Sequence, residues 1–359
     1  MYNKTILFAI MGWGLGHATR SIPIIKYLSQ KNEIILASNG LSKVLLKKEF
    51  PKLECISYPD YAITYPRKKS YLLLSIIIQI PSILRKLFDE YNMTQKIVRN
   101  YNIDIVISDC RYGVFSKKVP SYFITHQLRF QLPILLKFLE PLGECFNLFM
   151  FQFYNYIIIP DVKESPNLTG DLSHRGAISQ YSKLKYLGVF CNVSKLIVKE
   201  DIDCLISISG PEMQRTLFEE ILFDQIDSIP GKKVIVLGKP GSDNPHKHKK
   251  LEIYNHVNRE KQNELLNRAK FIICRSGYTT VMELIALNKP ALMIPTPGQT
   301  EQEYLAKYYK KTGLFYIAKQ KNLNLSKELT KINKNKRMSL KTMPINDFNS
   351  LNTLLKTNN

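Results

Sequence analysis

The segment from Phe271 to Pro295 (FIICRSGYTTVMELIALNKPALMIP) constrains the fold more than any other part of the chain. Phe271 to Cys274 is a short apolar run of the kind that forms a buried parallel strand. Arg275-Ser276-Gly277 breaks it. From Tyr278 to Leu287 the spacing turns helical: Val281, Leu284 and Ile285 share one face and Glu283 lies off it. Lys289-Pro290 stops the helix, and Ala291 to Ile294 is a second apolar strand. Strand, Gly turn, helix and strand in this order form one unit of a parallel α/β sheet. The helix N-terminus then lies at the carboxyl end of the first strand, with Ser276, Thr279 and Thr280 around it. Free N–H groups and the helix dipole favour a phosphate or pyrophosphate there. Gly277 lets the anion approach the backbone, and Glu283, about one and a half turns on, is placed to accept hydrogen bonds from a ribose diol. A capped helix in any α/β domain shows the same turn.

After the second strand, Pro295 to Glu303 (PTPGQTEQE) reads as a polar loop at the carboxyl end of a strand, where open α/β sheets bind ligands. Together, Arg275-Ser-Gly-x-x-Thr-x-x-Glu283 and Pro295 with Gln302-Glu303 resemble the nucleotide-sugar site of glycosyltransferase family 28. Its best-known member adds N-acetylglucosamine to the peptidoglycan lipid intermediate. The resemblance implies an α/β fold of two Rossmann-like doubly wound domains facing a central cleft (GT-B), with the donor nucleotide on the second domain. It implies that Gly277 and its neighbours hold the diphosphate, Glu283 the ribose, and Gln302 with Glu303 the donor sugar. Ala306-Lys307 stand where the family often shows Asn-Ala.

The chain is 359 residues long, enough for two domains, and 45% apolar, enough for two cores. Alternating strand and helix patterns define a first domain over 1–190 and a second over 199–338. The remaining tail, 339–359, contains a helix expected to pack back on the first domain. In the first domain Thr5 to Met11 reads as a strand, followed by Gly12-Trp-Gly14-Leu-Gly16-His17 and a helix. The G-x-G-x-G spacing is not the dinucleotide fingerprint, and Ala37-Ser38-Asn39 ends the second strand without an acid. His17 resembles the Gly-Gly-His loop of the same family, and Ser21-Ile-Pro23 continues the match. Gly14, Gly16 and His126 fall on the acceptor side by this resemblance. His126-Gln127 matches part of a His-Glu-Gln-Asn segment, and a structural role fits His126 equally. In the second domain Ser207-Ile-Ser-Gly-Pro211 replaces a Gly-Gly-Ser loop. Ser209-Gly210 can present N–H groups to the diphosphate; Arg215 either adds charge or is solvated surface.

A doubly wound sheet of order 3-2-1-4-5 places strands one and four side by side at its switch point. His17 follows the first and Asp109 ends the fourth. The two would then form a catalytic pair: Asp109 fixes the imidazole tautomer and the other ring nitrogen takes a proton from the acceptor hydroxyl. Alternatively Asp109 caps its loop and His17 only binds sugar or phosphate. No metal is required, since helix N-termini and cations can hold the leaving diphosphate. No cofactor is expected beyond a nucleotide-sugar co-substrate, UDP-linked by the resemblance.

Lys plus Arg exceed Asp plus Glu by 51 − 30 = 21, so the partners should be anionic. These are a nucleotide sugar, a glycan or lipid-linked acceptor, and an anionic membrane surface. No basic-aromatic nucleic-acid motif stands out. Two apolar stretches with basic flanks, 71–84 and 130–156, are core helices or a patch dipping into a leaflet; the first is too short to span a bilayer. The six Cys residues form no CxxC pair, which fits reduced thiols in a cytoplasmic protein, peripheral on the inner face of the membrane. His246 and His248 sit in a Lys-rich loop without nearby carboxylates and read as solvated. The reading is an inverting, metal-independent glycosyltransferase. The alternatives are a nucleotide-sugar epimerase of the same fold and a non-catalytic basic membrane scaffold.

Overall fold

The structure is a computed structural model that describes residues 3–61, 72–132, 134–239, 251–334 and 343–356. The chain divides into two compact units. One comprises Met1–Cys191 with Pro344–Asn359, and the other Asn192–Met343.

The first unit runs β1 (Thr5–Ile10), α1 (Gly16–Leu28), β2 (Glu33–Ser38), α2 (Gly40–Glu49), β3 (Cys55–Ser57), α3 (Leu72–Asn100), β4 (Ile105–Asp109), β5 (Ser121–Ile124), α4 (Glu140–Phe151), β6 (Tyr156–Ile159), α5 (Asp171–His174) and β7 (Leu184–Tyr186). The seven strands pair in the order β3-β2-β1-β4-β5-β6-β7, all parallel. Strand β1 shows why apolar residues run without alternation. Ile6, Phe8 and Ile10 pack with Ile22, Ile25 and Leu28 on one face. Leu7 and Ala9 pack with Ile97, Val98 and Val114 on the other. A parallel sheet covered by helices on both sides needs apolar residues of both parities. The chain leaves β1 toward β2 and leaves β4 toward β5, so the switch point lies between β1 and β4. There Ile10 pairs with Asp109.

The second unit comprises β8 (Cys204–Ser207), α6 (Glu212–Phe223), β9 (Lys233–Val236), β10 (Glu252–Tyr254), α7 (Arg259–Arg268), β11 (Ile272–Cys274), α8 (Tyr278–Leu287), β12 (Ala291–Met293), α9 (Thr300–Thr312), β13 (Tyr316–Ile317) and α10 (Leu325–Lys334). Its parallel sheet has the order β10-β9-β8-β11-β12-β13, the same 3-2-1-4-5 scheme. The last helix, α11 (Phe348–Lys356), belongs to the first unit. Leu351, Leu354 and Leu355 join the core beside α1, and Phe348 stacks on Tyr27 at 4.5 Å. Asn346 pins the return, donating to Cys191 O and accepting from Cys191 N.

Three features differ from the sequence reading. The polar loop after β12 is short, because α9 begins at Thr300 with Glu301 and Glu303 in its first turn, where acids favour the helix dipole. Strands β7 and β13 were not anticipated, being three and two residues long. Helix α3 extends over 29 residues rather than ending near 84. No helix among the described residues is long and apolar enough to cross a membrane. The loop with His246 and His248 lies outside the described residues, as do Arg67 to Lys69.

Candidate active site

Helix α1 starts at the carboxyl end of β1, so its first turns face the end of β4. His17 and Arg20, one turn apart, and Ser21 all reach Asp109. His17 Nδ1 lies 2.7 Å from Asp109 Oδ1. Arg20 Nε donates to Oδ2 at 2.8 Å and Nη2 donates to Oδ1. Ser21 Oγ donates to Oδ2 at 2.8 Å. Asp109 is fully buried, whereas the His17 side chain keeps 20% of its surface. Arg20 Nη1 also donates to His126 Nδ1 at 2.8 Å. One guanidinium therefore joins the ends of β4 and β5.

The electrostatics follow from this packing. Burial disfavours the Asp109 carboxylate, but the Arg20 and His17 charges and their hydrogen bonds outweigh it and hold the carboxyl well below its usual range. Burial and Arg20 likewise oppose a charged His17. Cys110 and Asp109 overcome both, raising His17 from 6.5 to about 9. His17 Nδ1, Asp109 and Cys110 Sγ lie within 4.8 Å of one another, a spacing a metal could bridge. Arg20 donates to Asp109 and also to Cys110 Sγ at 3.4 Å, and so already supplies a cation there. Gly14 adopts a left-handed φ of +64° in the loop before His17 and accepts from Ser42 Oγ at 2.8 Å. Gly16 is the first residue of α1.

Arg20 was missed as a site residue. On a helix it reads as solvated, but its i, i+3 spacing from His17 places both on one face, and that was the available signal.

In the second unit the expected donor residues separate into two groups. Gly277 starts α8 with no side-chain cap, and Thr279 and Thr280 are half-buried in its first turn. Gln302 accepts from Thr296 N through Oε1, and its Nε2 lies 4.0 Å from where a Cβ on Gly277 would be. Glu283 is 6% exposed and has no hydrogen-bond partner among the described residues; burial pushes its pKa up to about 7, against the pull of Arg259. Ser209 and Gly210 are exposed in the β8–α6 loop, and the φ of +115° at Gly210 suits only glycine.

The other group is tied elsewhere. Ser276 is fully buried and donates to Gln302 O at 3.0 Å, joining α8 to α9 rather than facing a ligand. Glu303 accepts from Gly298 N at 2.8 Å. Arg215 donates to Gly238 O at 2.8 Å and to Glu212 at 2.6 Å. Arg275, expected to touch the donor, is 1% exposed and turned inward, because its hydrogens are drawn to the carbonyls of Gln214, Ile294 and Pro295.

Two parallel α/β units of one topology, each with a helix N-terminus at its switch point, define the two-domain GT-B fold. A crystal structure of the glycotransferase of kitacinnamycin has this fold, with a TM-score of 0.63 over 93% of this chain and 91% of that one, at 11% identity. MurG of Acinetobacter baumannii has it with a TM-score of 0.57 over 92% and 90%, at 15% identity. Residues 227–356 match the glycosyltransferase family 28 C-terminal domain. The chain is 31% identical over 115 residues to the UDP-N-acetylglucosamine--N-acetylmuramyl-(pentapeptide) pyrophosphoryl-undecaprenol N-acetylglucosamine transferase of Thermosipho africanus (strain TCF52B). That match covers 30% of this chain and 34% of the relative, about a third of its length.

Proposed function

We propose that this chain is an inverting, metal-independent glycosyltransferase that moves a sugar from a UDP-linked donor to a hydroxyl of a lipid-linked or cell-envelope acceptor. The observation that carries the reading is the His17–Asp109 pair at the switch point of the first unit. Asp109 accepts from His17 Nδ1–H, which leaves Nε2 to take a proton. As the acceptor oxygen bonds to the anomeric carbon, its proton passes to His17 Nε2. The carbon–oxygen bond to the diphosphate breaks from the opposite face, and the electron pair leaves with the diphosphate. Attack opposite the leaving group inverts the centre. Asp109 stays ionised throughout because Arg20 holds it, and it stabilises the imidazolium that forms. In the second unit the uncapped α8 N-terminus suits the diphosphate, Glu283 the ribose diol, and the Gln302 amide the sugar.

An apolar surface of the first unit supports a lipid surface as partner. Ile80, Leu84 and Phe88 form an exposed i, i+4, i+8 stripe on α3. Phe138, Leu142 and Phe149 are exposed on and before α4. Both segments pack on Phe115, through Tyr91 and Phe153. Arg85 and Lys137, both exposed, add positive charge. Exposed aromatic and aliphatic side chains with cations at their margin suit an anionic leaflet.

A thermal-shift screen of UDP-, GDP- and TDP-sugars tests the donor. A UDP-sugar at 100 times its Kd should stabilise the native state by about 2.7 kcal/mol. No shift with any of them removes the donor site, and epimerisation of a donor supplied alone contradicts transfer.

A further inference from the structure

Among the described residues three arginines are almost fully buried: Arg20, Arg111 and Arg275. Two have a carboxylate. Arg20 pairs with Asp109, and Arg111 pairs with Glu90 at 2.6 Å. Arg275 forms no ion pair among the described residues. Its Nη2 donates to Gln214 O at 3.0 Å, and Nη1 to Ile294 O and Pro295 O at 3.3 Å each. Its Cζ lies 3.9 Å from the centroid of the Phe218 ring. Its Nε is buried without a partner. Every partner is neutral, and burial alone lowers its pKa, to about 10.

An unpaired buried cation is costly, and carbonyls with one aromatic face do not supply a counter-charge. The surroundings indicate where one belongs. Arg275 immediately precedes the Ser276–Gly277 turn. Its carbonyl partner Gln214 lies in the first turn of α6, the helix that follows Ser209-Gly210. Helices α6 and α8 both begin without a side-chain cap. Thr296, next to the carbonyl partner Pro295, is 3% exposed, and its Oγ1 is buried without a partner. That oxygen lies 3.8 Å from where a Cβ on Gly210 would be. Two helix N-termini, a buried hydroxyl and an uncompensated guanidinium are thus grouped at the carboxyl ends of β8, β11 and β12.

We infer that Arg275 is a positioning residue whose unpaired charge is completed by the diphosphate of the donor, bound over the first turns of α6 and α8. This rests on the donor reading above and extends it to a named source of charge. Arg275 need not touch the phosphates: a cation in the dry interior under the loops acts through a medium that screens it little. The same charge favours departure, since the diphosphate gains negative charge as the glycosidic bond breaks.

Competition titrations with UDP and uridine on the full chain, as wild type, Arg275→Gln and Arg275→Lys, test this. Arg275→Gln should weaken UDP on the order of 30-fold or more while uridine changes less than about threefold. Arg275→Lys, which keeps the charge and loses the fork, should retain most of the preference for UDP. Wild-type preference for UDP over uridine should change little between low and high salt, because the cation is buried; this arm stands even if Arg275→Gln fails to fold. Equal loss of UDP and uridine in Arg275→Gln, or a UDP preference that collapses with salt, makes Arg275 a fold clamp and overturns the inference. If wild type binds none of UDP, GDP or TDP, the donor reading falls and takes this one with it. If wild type binds UDP and Arg275→Gln binds it equally well, only the role of Arg275 falls.

Discussion

His17 Nδ1 and Asp109 Oδ1 lie 2.7 Å apart although 92 residues separate them in sequence. The pairing of β1 with β4 brings them together, and the direction of α1 points the imidazole at the carboxylate. Cys110 and the Asp109 carboxylate together raise the imidazole pKa against burial and Arg20.

That shift fixes a pH dependence. His17 acts as a base only when neutral, and its pKa is raised to about 9. The profile of kcat/KM should rise with pH, reach half its plateau near 9 and level off above it. Asp109→Asn removes one influence that raises the pKa and leaves burial and Arg20, which lower it, opposed by Cys110 alone. The variant should therefore turn over more slowly, with its rise moved to lower pH. A wild-type profile flat from pH 6 to 9.5 would exclude His17 as the titrating base.

Arg20 is predicted to matter to the fold as well as to the site. Arg20→Met leaves the Asp109 carboxylate buried without its fork and should cost about 3–5 kcal/mol in denaturant unfolding at pH 7. In the wild type the folded pKa of Asp109 is depressed. Its stabilisation is therefore present above the unfolded value and fades as pH falls below it, so the gap between variant and wild type should narrow in acid. A loss under 1 kcal/mol at pH 7 would show that the cluster is not held by this pair.

Glu283 gives the opposite sign. Its folded pKa is raised from 4.5 to about 7, so the stability it contributes is present below 4.5 and lost as pH rises through 7. Glu283→Gln should equal wild type near pH 4.5 and exceed it by on the order of 3 kcal/mol at pH 8. Calorimetry with UDP should show the reverse preference, with Glu283→Ala weakening binding by about 1.5–3 kcal/mol. Unchanged UDP affinity would remove Glu283 from the ribose.

The apolar surface predicts membrane capture. Phe88 and Phe138 are 64% and 71% exposed, and each contributes about 1.5–3 kcal/mol if it enters the leaflet. Phe88→Ser with Phe138→Ser should release the protein from anionic vesicles at low salt without altering UDP affinity. If wild type never sediments with such vesicles, the surface serves another purpose.

Most strands of both sheets were legible because each is a bounded apolar run, as at Glu33–Ser38 and Tyr156–Ile159, and the order around β1 and β4 followed from the doubly wound rule. Tyr316–Ile317 is too short to carry a period. The acids Glu301 and Glu303 signalled a helix start that reads equally as a polar loop. The partnership of His17 with Asp109 was legible through topology. The direction of individual side chains was not. Arg275 and Ser276 sit in a motif that points to an anion, yet both are turned inward, Arg275 onto Phe218 and Ser276 onto the Gln302 carbonyl. Composition cannot distinguish a residue facing a ligand from one supporting the loop that does.

Turnover of a UDP-sugar by His17→Ala, measured alongside its affinity for the donor, addresses the proposed transfer most directly. The expected result is a fall in turnover of about 10²- to 10⁴-fold at saturating donor, with donor affinity nearly intact. Loss of donor binding with an unchanged rate at saturating donor would instead make His17 a binding residue and place the base elsewhere.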